Sequence, residues 1–153
     1  MKVRDIMTQD VLTVKAETSV NDVAKLLGQR DISGVPVVDD QQHVIGIITE
    51  LDLIVRNTRL EMPHFVAVMD WGRIPLERPK HARDRLQHML GTQAADIMTE
   101  KVETIGPDAA VEDLAELMVK HRFNPVPVVD EAGKLIGIVS RADLIDMMAE
   151  QLE

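Results

Sequence analysis

Apolar residues fall into two patterns along the chain. In "SVNDVAKLLGQR" (19–30), Val20, Val23, Ala24 and Leu27 sit at i, i+3, i+4 and i+7, one face of a helix. Ser19, just before them, is a suitable N-cap. Further on, "VPVV" (35–38) and "VIGII" (44–48) are short continuous apolar runs, the pattern of buried strands. The polar "DDQQH" between them has hairpin length. "VLTV" (11–14) is a shorter β-rich run, and "TELDLIVR" opens another helix. The predicted order is strand, helix, strand, strand, helix.

The whole pattern then occurs again. Asp5-Ile6-Met7-Thr8 recurs as Asp96-Ile97-Met98-Thr99, an offset of 96 − 5 = 91 residues. Without a gap, Val35-Pro36-Val37-Val38-Asp39 falls on Val126-Pro127-Val128-Val129-Asp130, and Asp52-Leu53-Ile54 on Asp143-Leu144-Ile145. Roughly 21 of the 50 positions over 5–54 are identical, too many for a shared apolar pattern alone. The helical stripe returns as Val111, Leu114, Ala115 and Met118. Ala110 stands where Ser19 stood, so the second cap is expected from elsewhere, with Asp108 the candidate. A unit of about 50 residues buries a marginal core by itself. Two copies packed sheet to sheet, related by a pseudo-two-fold axis, would bury the apolar faces of both. The predicted fold class is therefore α/β (α+β), with repeats at 1–55 and 94–153.

Charge separates the segment between them. The chain has 26 acidic and 17 basic residues, a net −9, which argues against general nucleic-acid binding. Residues 56–93 hold seven Lys or Arg against four Asp or Glu, so +3, and the rest carries −12. Pro63, Gly72, Pro75 and Pro79 punctuate this segment, and "KHARDRLQHML" has a helical look. A mainly helical insertion is expected there, holding Trp71, the single Trp. His64, His81 and His88 have no compact ligand spacing, so no metal site is expected. No apolar run is long enough to span a membrane, and "MKVRDIMTQD" lacks a secretory h-region. A cytoplasmic protein is expected. Cysteine is absent, which removes disulfides and thiolate chemistry. No G-x-S-x-G, H-E-x-x-H or P-loop is present, and an enzyme is not expected.

The candidate chemistry lies at the strand-to-helix junctions. Thr49-x-x-Asp52 and Ser140-x-x-Asp143 read as capping boxes. The same place can hold a ligand. Free N–H groups and a hydroxyl favour a phosphate, and an Asp one turn in can accept hydrogen bonds from a ribose diol. Gly46 and Gly137, inside strands, mark close approach of another backbone or a ligand. Pro36 and Pro127 place their strand ends at an edge or bulge, leaving backbone groups at Val35 and Val126 that water or a purine ring can use.

The set D-I-M-T, V-x-T-[VI], amphipathic helix, V-P-V-V-D and I-G-I-[IV]-[TS]-x-x-D-L, found twice over 5–54 and 96–145, resembles the cystathionine β-synthase-type (CBS) domain, and the tandem resembles a Bateman module. The resemblance implies a regulatory module that binds AMP, ADP, ATP or an S-adenosyl compound in clefts between the repeats. It maps phosphate and ribose contacts onto Thr49 with Asp52 and Ser140 with Asp143. Positions flanking the base would be Thr13 and Val14, Thr104 and Ile105. The base-lining stretches would be Ser33, Gly34, Val35 and Pro36, and Asn124, Pro125, Val126 and Pro127. It implies no required cofactor and a homodimer. A sensor of this kind is expected to report to a protein target in trans, or through the basic 56–93 segment.

The two copies differ. Glu50 follows Thr49, whereas Arg141 follows Ser140, so the cleft with Ser140, Arg141 and Asp143 is the one favoured for an anionic nucleotide. Lys15, Arg4 and Arg122 are further candidates for added charge. Binding is expected to bias the packing of the two repeats, with 56–93 moving and Trp71 reporting. Two other readings stand beside this one. One is a dimeric scaffold with empty clefts. The other is a magnesium sensor built on Asp39, Asp40, Asp130 and Glu131, which also read as turn residues.

Overall fold

A computed structural model describes residues 1–58 and 92–152. The expected helical insertion, with Trp71 and its three His, lies outside the described residues apart from its two ends. Each copy supplies a four-residue helix, a long amphipathic helix, a two-stranded antiparallel hairpin and a closing helix. In chain order these are α1 (Val3–Ile6), α2 (Val20–Arg30), β1 (Gly34–Val38), β2 (Val44–Thr49), α3 (Glu50–Thr58), α4 (Ala94–Ile97), α5 (Val111–His121), β3 (Val126–Val129), β4 (Leu135–Val139) and α6 (Arg141–Glu150). Among the described residues no helix is long and apolar enough to cross a membrane.

The apolar stripes go where their spacing sends them except at Ala24, which is exposed. Val20, Val23 and Leu27 of α2 are buried, as are Val111, Leu114 and Met118 of α5. Ser19 Oγ accepts the Asp22 N–H at 3.1 Å, the local cap its position predicts. Ala110 has no such side chain, and Asp108 does not replace it. Asp108 instead pairs with Lys2 (2.8 Å) and Arg4. The first N–H of α5, from Val111, is taken by the Met1 carbonyl at 3.2 Å.

That bond belongs to an exchange between the copies. Val3 N–H donates to Ala109 O and Arg4 N–H to Pro107 O, so α1 is tied to the second copy. Val3 is completely buried in a core made of Leu114, Met118, Val126, Val128 and Val139. Reciprocally, Val20 N–H donates to Thr92 O and Ala94 N–H to Thr18 O, and Ala94 is buried with Val14, Val23, Leu27, Val35, Val37 and Ile48. Each D-I-M-T segment therefore completes the core of the other copy. Thr8 bridges to Ile138 and Thr99 to Ile47, extending each hairpin by one residue of the opposite repeat.

The exchange accounts for the strand glycines. A Cβ added at Gly46 would stand 2.8 Å from Met98 Cγ, and one at Gly137 would stand 3.0 Å from Met7 Cγ. The close neighbour is thus a methionine of the other repeat rather than a backbone or a ligand. The "VLTV" strand shrinks to a single parallel bridge from Val14 to Val37. Val14 N–H donates to Pro36 O and Val14 O accepts from Val38 N–H, both near 3.0 Å. The next ladder bond back would need an N–H from Pro36, which has none. Ile105 makes the same single bridge beside Pro127. The hairpins also touch each other at their loops, where His43 bridges to Lys134.

Candidate functional site

Each capping box closes as its spacing predicts. Ser140 N–H and Ser140 Oγ–H both donate to Asp143 Oδ2, at 2.6 and 2.8 Å, and Asp143 N–H donates back to Ser140 Oγ at 3.4 Å. Thr49 and Asp52 repeat the arrangement at 2.8, 3.2 and 3.4 Å. The second carboxylate oxygens differ. Thr99 Oγ1–H donates to Asp52 Oδ1 at 3.3 Å, across the exchange. The repeat-related pair, Thr8 with Asp143, makes no such bond, so among the described residues Asp143 Oδ1 is open.

Asp143 faces a cleft of about 430 Å³ between the repeats. Seven residues expected from the sequence line it: Ser33, Gly34, Asn124, Pro125, Ser140, Arg141 and Asp143. Asn124 joins the two halves. Its Nδ2 donates to Ser33 Oγ at 3.3 Å, and its Oδ1 accepts the Arg141 N–H at 2.9 Å. Gly34 fits because a Cβ there would come 2.6 Å from Pro125 Cδ of the other copy.

The other expected residues lie elsewhere. Val14, Val35, Pro36, Val126 and Pro127 are buried in the two cores or beside them. Thr13, Thr104 and Ile105 are half-buried on the bridging segments and do not line this cleft. Thr49 and Asp52 head α3, at the place related to Ser140 and Asp143 by the repeat. The backbone groups of Val35 are not free for a purine. Ser33 O accepts the Glu50 N–H toward β2, Pro36 O accepts the Val14 N–H on the far side, and alternation turns Val35 toward its partner Ile48. Val126 opposes Val139 in the same way. Two of the three basic candidates are engaged away from the cleft: Arg4 with Asp108, and Lys15 with Asp39 O at 2.7 Å and Asp40 at 3.7 Å. Arg122, the third, is the C-cap of α5 and does not line it either.

Sequence reasoning missed Thr8, Asp10, Leu12, Asp31, Ile32 and Ile138, all of which line the cleft. The one available signal was the D-I-M-T repeat itself, whose Thr has no packing reason to recur within its own copy. Of the four acids offered for magnesium, Asp39 and Asp130 serve the hairpin turns. Asp39 Oδ1 accepts N–H bonds from His43 (2.9 Å) and Gln41 (2.8 Å), and Asp130 Oδ1 accepts from Ala132 and Lys134, both at 2.9 Å. The His43 N–H holds the Asp39 carboxyl below its ordinary range.

Two α+β repeats that exchange their N-terminal segments and enclose a cleft at a helix N-terminus define a tandem-repeat module. A family model of the CBS domain matches residues 3–56 and 94–150, and the chain belongs to that family as a tandem pair, a Bateman module. It is similar to MJ1426 of Methanocaldococcus jannaschii, 34% identical with 97% of this chain and 91% of that protein covered. It is also similar in structure to CBSX2 in complex with AMP, with a TM-score of 0.74, 27% identity and coverage of 99% and 98% of the two chains. The CBS domain pair of MJ0100, in complex with 5′-methylthioadenosine and S-adenosyl-L-methionine, gives 0.71 at 25% identity, covering 99% and 98%.

Proposed function

We propose that this chain is a regulatory rather than catalytic module, and that it binds an adenine nucleotide or related adenosyl compound in the cleft closed by Ser140, Arg141 and Asp143. The observation that carries this is the open Asp143 Oδ1 in a cleft of about 430 Å³ at the start of α6. Carboxylates in such positions accept ribose hydroxyls. CBSX2 binds AMP, and the MJ0100 pair binds methylthioadenosine and S-adenosylmethionine. At the repeat-related Asp52 the same oxygen already holds Thr99, which supports binding at Asp143 rather than at Asp52. The module acts as a homodimer and reports to a separate protein.

Calorimetry against AMP, ATP, S-adenosylmethionine and methylthioadenosine tests this. At least one binds, and Asp143→Ala weakens it by roughly tenfold or more, the scale of a lost charge-assisted hydrogen bond. Asp52→Ala weakens the same ligand by less than about threefold. Each variant's melting temperature is measured alongside, because loss of either cap costs about 1 kcal/mol without touching a ligand. Equal losses of affinity for the two variants would refute the inequality of the clefts.

A further inference from the structure

Residue 141 against residue 50 suggests that the Asp143 cleft favours an anion, but the fold brings more charge to it. Asp10 and Asp31 line the same cleft, so Arg141 faces three carboxylates there, Asp10, Asp31 and Asp143. Asp10, Asp31 and Arg141 are all exposed at its surface. The repeat inverts each of them: Lys101 stands at the position of Asp10, Arg122 at that of Asp31, and Glu50 at that of Arg141.

The helix N-terminus does not restore the balance. An anion there depends on the leading N–H groups of α6. Arg141 N–H is held by Asn124 Oδ1, and Asp143 N–H by Ser140 Oγ. That leaves Ala142 N–H, which lines the cleft, and a polyphosphate that took it would still lie among the carboxylates of Asp10, Asp31 and Asp143.

We infer that the cleft closed by Asp143 selects adenosyl compounds that are uncharged or cationic beyond the ribose, a thioether or sulfonium nucleoside, over nucleoside triphosphates. This rests on the adenosyl reading above. Methylthioadenosine brings no charge to Asp10 and Asp31. The sulfonium and ammonium of S-adenosylmethionine are attracted by them, and a triphosphate is repelled.

The test is calorimetry of the full chain at low salt with methylthioadenosine, S-adenosylmethionine, AMP and ATP, repeated on the D10N/D31N double variant. Asn is chosen because Asp31 has φ 52°, a left-handed conformation that Asn tolerates. Methylthioadenosine and S-adenosylmethionine are expected to bind roughly tenfold tighter than ATP. The double variant closes most of that gap, and raising the salt narrows it in the native chain. ATP binding as tightly as methylthioadenosine in the native chain would overturn the charge inference and leave the adenosyl reading standing. So would a gap that the double variant leaves unchanged. No binding by any of the four overturns the adenosyl reading and this inference with it.

Discussion

A glycine inside a strand normally weakens it, through lost packing and a larger entropy cost. Gly46 and Gly137 are retained because a methionine from the other repeat lies on each of them. Gly46→Ala puts a methyl group into the Met98 side chain and is expected to cost about 1–3 kcal/mol, as overpacking does. The Met98 side chain is flexible and only partly buried, so shortening it makes room. In urea melts of Gly46→Ala, Met98→Ala and the double variant, the double is expected to lose about 1 kcal/mol less than the sum of the singles. Strict additivity would show that the contact is not what excludes a side chain at position 46.

At the scale of elements, the exchanged segments decide which pieces are stable together. α1 has four residues, too few to be a stable helix alone, and it persists because Val3 is buried in the second copy's core. Val3→Ala is expected to cost about 1–3 kcal/mol. Its effect falls on the distant copy. Hydrogen-exchange protection of β3 and β4 should drop more than that of β1 and β2, although residue 3 is far closer in sequence to the first hairpin. Equal loss in both hairpins would mean that the two cores unfold as one unit, a single cooperative body rather than two joined by exchanged segments.

For the whole molecule, the outer helices leave apolar surface. Leu51 is 68% exposed and Ile54 49% on α3, and Ile145 is 64% and Met148 57% on α6. Side chains of this kind on paired helices make the core of a protein interface. Light scattering at micromolar concentration is expected to give a dimer, and Leu51→Asp with Ile145→Asp a monomer that keeps its far-ultraviolet circular dichroism. A native chain that scatters as a monomer would refute this. Ligand binding adds stability as well. At a hundred times Kd the gain is about 2.7 kcal/mol, which for a chain of this size raises Tm by roughly 5–10 °C. A bound ligand that leaves Tm unchanged would have to bind the unfolded chain equally well.

Much of this was legible in the residues because it depends on short separations. The helical stripes at Val20 and Val111 follow from a period of 3.6, and the Thr49–Asp52 and Ser140–Asp143 boxes from a spacing of three. Both are settled within one turn of chain. The second copy was legible because the offset of 91 is free of gaps. What the sequence could not disclose is which copy each D-I-M-T segment completes, since two equal repeats offer the same apolar surface to either segment. The packing resolves this by crossing the segments over. That crossing alone carries Thr8 and Asp10 to Asp143, lays methionines on the strand glycines, and ties Asp52 but not Asp143 to a threonine hydroxyl. Residue types, spacing and net charge were determined by the sequence itself. The charge around the cleft was decided by the tertiary structure, because electrostatics depends on distance in space, and Asp10 and Arg141 are neighbours only there.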